Sequence, residues 1–143
     1  SEAWIKLLLI SSLNKNINKT KVIFRKENQY VSEILQSPGQ FKSKKILEEY
    51  INIFKNYSET CLPLPPESTY KYVEAKMKFK NEKKAFSDKW IGNKTFSKGE
   101  RDKIEIQMCF GSKKEADFFL RNDEFDDLSF RLYAPLIEAL KNK

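Results

Sequence analysis

The stretch KVIFRKENQYVSEIL, residues 21–35, decides the fold class. Two runs rich in β-branched and aromatic residues, KVIF (21–24) and QYVSEIL (29–35), flank the charged link Arg25 to Asn28, a pattern that predicts two short strands joined as a hairpin. Before it, WIKLLLISSL (4–13) is apolar nearly all round. That predicts a helix buried over most of its circumference and ended by Asn14, Asn16 and Asn18. After the hairpin, Pro38 and Gly39 break the pattern. Ile46, Leu47, Tyr50, Ile51, Phe54 and Tyr57 then recur at helical steps behind Ser43, the expected N-cap.

Further along, CLPLPPES (61–68) holds three of the five prolines and reads as a stiff connector packed through Leu62 and Leu64. From Ser68 to Trp90 the charge density favours helix, with Val73, Met77, Ala85, Phe86 and Trp90 facing inward. GNKTFSKGE (92–100) reads as a loop. IEIQMCF (104–110) alternates like a strand, and a short helix fits it as well. SKKE (112–115) matches a capping box ahead of ADFFL, with Ser112 and Glu115 as its two partners. Phe125, Leu128, Leu132, Leu136 and Leu140 make the stripe of a last helix that Pro135 should kink. The expectation is an α+β fold, mainly helical with a small β-hairpin. The 143 residues suit a single domain, 1–143, with one core.

Composition narrows the chemistry. The chain has no histidine, which removes the usual general base, every Ser-His or Cys-His pair and any Cys/His zinc site. Carboxylate, lysine and tyrosine chemistry remain. Cys61 and Cys109 have no visible partner that would activate them, so buried structural thiols are expected, and a disulfide between them is disfavoured in the cytosol. The apolar run 4–13 is too short for a membrane span and has no basic stretch before it, so we expect a soluble, cytoplasmic protein with no membrane partner and no cofactor. The chain opens at Ser1 and turns apolar by Trp4, as a segment of a longer protein would. Its net charge of +7 is uneven: residues 1–100 carry nineteen basic against eleven acidic side chains, residues 101–143 eight against nine. Negatively charged partners are expected on the surface built by the first two thirds.

VEAKMKF (73–79) contains Glu-x-Lys, the triplet that closes the metal site of many nucleases. Such a site needs a second carboxylate on a neighbouring strand to hold the cation. There is no aspartate before Asp88, and neither Glu59 nor Glu67 lies in a convincing strand. Glu74 and Lys76 also fall where helix is expected, which turns side chains two apart to different sides. A solvated helix face is the preferred reading, and an active nuclease using Glu74 and Lys76 the alternative. The basic segment 70–103 is the better candidate. Lys76, Lys78, Lys80, Lys83, Lys84 and Lys89 are its proposed DNA-contacting residues, within a longer basic series that includes Lys94. Tyr70, Tyr72, Phe79, Phe86, Trp90 and Phe96 are interleaved with them. Lysines suit sequence-independent phosphate contact, and exposed aromatics stack on unpaired bases. The acids Asp123, Glu124, Asp126 and Asp127 lack the glycine and spacing of a calcium loop and read as capping for the last helix. A protein-interaction module using Phe130 and Tyr133 of that helix is a further alternative.

The order AWIKLLLISSL, FRKENQYVSEI, ILEEYINIFKNYSE, LPLPPESTYKYVEA, KAFSDKW, SKGERDKIEIQMCFG and LYAPLIEAL resembles the C-terminal domain of the exodeoxyribonuclease V gamma subunit, the RecC family, over nearly the whole chain. The most specific parts are the leucine/proline connector, the Gly-Glu-x-Asp stretch Gly99 to Asp102, and the closing helix with Pro135 inside it. The resemblance implies a degenerate restriction-endonuclease-like domain without catalytic residues or metal ligands. It also implies a scaffold between RecB-like and RecD-like motor subunits, in a helicase–nuclease that processes duplex DNA ends for recombinational repair and guides the separated strands. Recognition of the regulatory Chi sequence belongs to earlier parts of that subunit and transfers to no residue here.

Overall fold

The structure, a computed structural model, describes residues 2–14, 16–93, 97–112 and 114–141. It is mixed α+β and mainly helical. The chain divides into two compact units, residues 1–56 with 135–143, and residues 57–134.

In the first unit, helix α1 (Glu2–Leu13) precedes strands β1 (Lys19–Lys26) and β2 (Gln29–Gln36), then helix α2 (Gln40–Asn56). The strands pair antiparallel from Lys19↔Gln36 to Lys26↔Gln29. The expected hairpin is therefore present, with β1 two residues longer at each end and β2 one residue longer at its outer end, and its turn is only Glu27–Asn28. Register places Thr20, Val22 and Phe24 on one face with Leu35, Glu33 and Val31. Leu35 and Val22 on that face join a core of Trp4, Leu7, Leu8 and Ala139, flanked by Ile46, Leu47, Tyr50, Leu136 and Leu140. The Trp4 indole donates to the Tyr50 hydroxyl at 3.1 Å, giving the buried N–H its partner.

Two expectations are corrected here. Helix α1 buries one face, not most of its circumference: Ile5, Leu9, Ile10 and Leu13 are exposed, Leu13 to 83%. Ser43 is not an N-cap, because the helix begins four residues earlier than that cap implies, at Gln40 behind Gly39 at φ 90°, whose carbonyl accepts from the Ser43 N–H at 2.9 Å. The inward face of α2 consequently runs through Ser43, Ile46, Leu47, Tyr50 and Ile53, while Ile51 and Phe54 point outward.

The second unit starts in the proline-rich connector, where Leu64 is buried and Leu62 half-buried. Helix α3 (Pro66–Met77) has Pro66 in its first turn, where a missing N–H costs nothing. The helix expected to run unbroken to Trp90 stops at Met77. Phe79 takes φ 54°, and the hydrogen bonds Phe79 N–H to Lys76 O and Lys80 N–H to Ala75 O close the end in the paired pattern usual for a left-handed residue after a helix. The Asn81 side chain then accepts from the Lys84 N–H at 2.9 Å and starts helix α4 (Glu82–Ile91).

Beyond α4, strands β3 (Gly92–Asn93) and β4 (Ser97–Lys98) form a two-residue ladder within the expected loop. Lys94 and Phe96 lie outside the described residues. A 3-10 turn (Glu100–Asp102) leads to helix α5 (Ile104–Phe110), which decides between the two readings of this segment in favour of helix. Its alternation spreads around the helix: Ile106 is buried, whereas Ile104 and Met108, one turn apart, face solvent, and Gly111 at φ 82° stops it. Helix α6 (Ala116–Leu120) begins after Glu115 without a side-chain cap, so the capping box expected of Ser112 and Glu115 is not formed. Helix α7 (Phe125–Lys141) contains Pro135, and the boundary of the two units falls at that residue. Phe86, Trp90, Phe119 and Phe125 pack as an aromatic cluster with ring centroids 4.9 to 6.2 Å apart, and the Trp90 indole donates to Lys114 O at 2.9 Å.

Glu27 sits in the hairpin turn at φ 55°, a region that costs a side-chain-bearing residue about 1 kcal/mol. Glu27→Gly is expected to raise stability to urea by up to about 1 kcal/mol. A fall in the urea midpoint would contradict this account of the turn.

Candidate nucleic-acid interface

Four of the six proposed lysines, Lys78, Lys80, Lys83 and Lys84, lie at the elbow between α3 and α4, and their positions follow from how α3 is held at its other end. Glu100 is 2% exposed, and its two carboxylate oxygens accept from the Glu67 N–H at 2.8 Å and the Ser68 N–H at 2.6 Å. Those amides belong to the first turn of α3, where backbone donors have no partner inside the helix and the helix dipole is positive. The turn bearing Glu100 presses on the end of α4. A Cβ on Gly99 would lie 2.2 Å from Trp90 O and 2.4 Å from the Ile91 carbonyl carbon, so only glycine fits. The Asp102 carboxylate accepts from the Gly99 N–H at 3.1 Å. Lys89 and Lys103 both pair with Glu67 and hold its carboxyl below the usual range, Lys103 contributing the larger hydrogen bond.

The six sequence-selected lysines fall into three kinds. Lys76 and Lys89 are half-buried structural ties: Lys76 Nζ lies 2.6 Å from Asp126 Oδ1 and 4.9 Å from the Phe130 ring centroid, and Lys89 pairs with Glu67 at 2.7 Å. Burial pushes the Asp126 carboxyl up, but the Lys76 and Tyr72 hydrogen bonds and the Lys76 charge outweigh it and leave it lowered. Burial, then the hydrogen bond to Asp126, pushes the Tyr72 hydroxyl well up. Lys78 and Lys84 are exposed and make one-turn pairs with Glu74 at 2.8 Å and Asp88 at 2.6 Å, contacts of small energy that a phosphate can displace. Lys80 and Lys83 are exposed and have no ion pair among the described residues.

Phe79 stands among them, 99% exposed, in a backbone conformation that favours glycine. Tyr72, Phe86 and Trp90, also interleaved with the basic series, are instead core residues, and Tyr70 packs edge-on against Tyr133 at 6.3 Å.

Glu74 and Lys76 do not converge. Glu74 is clasped by Lys71 at 2.7 Å and by Lys78, whose hydrogen bonds hold its carboxyl below the usual range, while Lys76 reaches Asp126. Phe130 and Tyr133, expected as exposed, are half-buried under Lys76 and against Tyr70. In the acidic set, Asp126 and Asp127 lie in the first turn of α7, with Asp127 paired to Arg131 at 2.8 Å, and Glu124 accepts from the Tyr57 hydroxyl at 2.6 Å. The thiols expected to be buried are both exposed.

Sequence reasoning missed the clamp made by Glu100 and the break at Phe79. Asn81 ahead of Glu82 was a signal for the second, since asparagine before a charged turn is an N-cap pattern. Among the described residues no helix is long and apolar enough to cross a membrane. No family model, curated protein or solved structure matches the chain.

Glu100→Ala would leave two amides at the start of α3 without an acceptor and is expected to cost about 2–4 kcal/mol, with Glu100→Gln intermediate, read by urea denaturation. An Ala variant as stable as the parent would remove the clamp from the argument. Glu67 and Glu74 have folded pKa values below their ordinary 4.5. The stability they contribute is present above that value and is lost as pH falls through the depressed folded one. Thermal melts should therefore change little between neutral pH and about pH 5 and fall below it, with a shallower fall in Glu74→Gln.

Proposed function

We propose that the second unit contacts unpaired nucleic acid without sequence preference, through Lys78, Lys80, Lys83 and Lys84 around Phe79. The observation that carries this reading is Phe79. A large apolar side chain 99% exposed gains nothing from burial, and φ 54° is a cost that glycine would avoid, so neither property serves folding alone. As a stacking platform between flexible cations it has a use that glycine could not supply.

We further propose the setting implied by the sequence resemblance: a non-catalytic, DNA-guiding scaffold domain of a helicase–nuclease gamma subunit of the RecC type, with restriction-endonuclease-like ancestry. It would lie beside RecB-like and RecD-like subunits, act on duplex ends and separated strands, and use no cofactor. Support for that finer part comes from the order of segments along the chain. Glu74 clasped by Lys71 and Lys78, and directed away from Lys76, favours this over a nuclease built on the triplet.

Fluorescence anisotropy with a labelled single-stranded oligonucleotide tests the interface. The double variant Lys80→Glu/Lys83→Glu should bind more weakly and flatten the logarithmic salt dependence by about 0.7 per lost phosphate contact. Phe79→Gly should move two quantities in opposite directions: stability rises by about 1 kcal/mol as backbone strain is relieved, and affinity falls by about 1–3 kcal/mol, roughly fivefold to a hundredfold. Affinity unchanged in both variants would sink the proposal.

A further inference from the structure

The hairpin of the first unit is a sheet of two strands, and no third strand joins it among the described residues. Both of its outer edges are therefore unpaired. One bond fixes which backbone groups point outward. The Ser37 N–H donates to Asn18 O at 2.7 Å, so the pair just beyond the ladder is hydrogen-bonded. Antiparallel pairs alternate between bonded and non-bonded. Counting back along the register, Lys19↔Gln36, Lys21↔Ile34, Ile23↔Ser32 and Arg25↔Tyr30 are the non-bonded pairs. The N–H and C=O groups of those residues face away from the partner strand, toward the open edges.

The two edges differ in charge. Along β1 the outward residues include Lys19, Lys21 and Arg25, and cations on an edge oppose the addition of another strand. Along β2 they are Tyr30, Ser32, Ile34 and Gln36, with no charge among them. Tyr30 is 83% exposed, and Ser32 and Ile34 are exposed beside it.

We propose that β2 pairs with β2 of a second copy of this chain, antiparallel about a two-fold axis at Ser32, joining two hairpins into one four-stranded sheet. That register is self-complementary, as a two-fold interface requires. Ser32 meets its own counterpart, and Tyr30 of each copy stands opposite Ile34 of the other, giving two aromatic–β-branched pairs on one face. On the other face Val31 stands opposite Glu33, so no like charges are directly opposed. Self-pairing of β1 lacks this property: centred on Ile23 it sets Lys21 against Arg25, and centred on Lys21 it sets lysine against lysine. The new ladder is short, so the association is weak and depends on concentration. Each copy carries a net charge of +7, and salt that screens this repulsion strengthens the pairing. Nucleic-acid binding at the lysine elbow responds to salt in the opposite sense.

Sedimentation of the full chain at rising concentration tests the proposal. The mass should climb from monomer toward dimer, and do so at lower concentration in higher salt. Amide hydrogen exchange read by NMR should slow with concentration at Tyr30, Ser32 and Ile34, while Lys21 and Ile23 on the other edge keep their rates. Ile34→Lys puts a cation on the edge, and both copies lose a cross-strand pair, so association should weaken by about tenfold or more. Ser32→Pro removes an outward N–H without touching the hairpin's own ladder and should act in the same direction. Leu9→Lys, on the exposed face of α1, should leave the association unchanged. A monomer at every concentration, a dimer whose slowed amides lie outside β2, or a dimer that Leu9→Lys dissolves would each overturn the proposal. The mass and the exchange pattern of the parent chain decide it even if Ser32→Pro fails to fold.

Discussion

The second unit depends on one buried carboxylate. Taking Glu100 out of water would cost several kcal/mol if its oxygens had no partners, yet both meet backbone amides at the positive end of α3. The turn that delivers it can approach only because Gly99 has no side chain where the Trp90 and Ile91 carbonyl groups stand. A helix is a stiff element rising about 1.5 Å per residue, so holding the start of α3 also sets where its far end lies. Phe79 and the exposed lysines are at that far end.

Charge alone would have overestimated the interface. Lysine is abundant through the first hundred residues, but folding brings acids from distant parts of the chain onto several of them. Asp126 takes Lys76, and Glu67 takes both Lys89 and Lys103. Each of these pairs is about half exposed and contributes little by itself, but it occupies the ammonium group of the lysine. What remains for an external anion is the short exposed group at the elbow, with Lys80 and Lys83 outside any ion pair among the described residues.

The Gly-Glu-x-Asp stretch, one of the three most specific parts of the sequence resemblance, has a structural account in this chain. Gly99 permits the close approach, Glu100 holds α3, and Asp102 accepts from the Gly99 amide. No member of the motif is directed at the lysine elbow. The motif holds helices together and the elbow stands apart from it, so a resemblance in the motif and a function at the elbow are separable properties.

The α+β class, the hairpin, the buried Val73, Phe86 and Trp90, and the basic series along 70–103 were legible in the sequence by itself, because period, turn residues and local charge are properties of neighbours along the chain. Where the pattern was local but ambiguous, as at IEIQMCF, the glycine after Phe110 and the packing of Ile106 settled helix over strand. Only the tertiary structure decided which lysines are engaged by internal carboxylates, that Glu100 is buried, and that Phe79 is left outside the core. Each of these is a contact, or the lack of one, between residues far apart in sequence, and chain order carries no information about such distances until the core has closed.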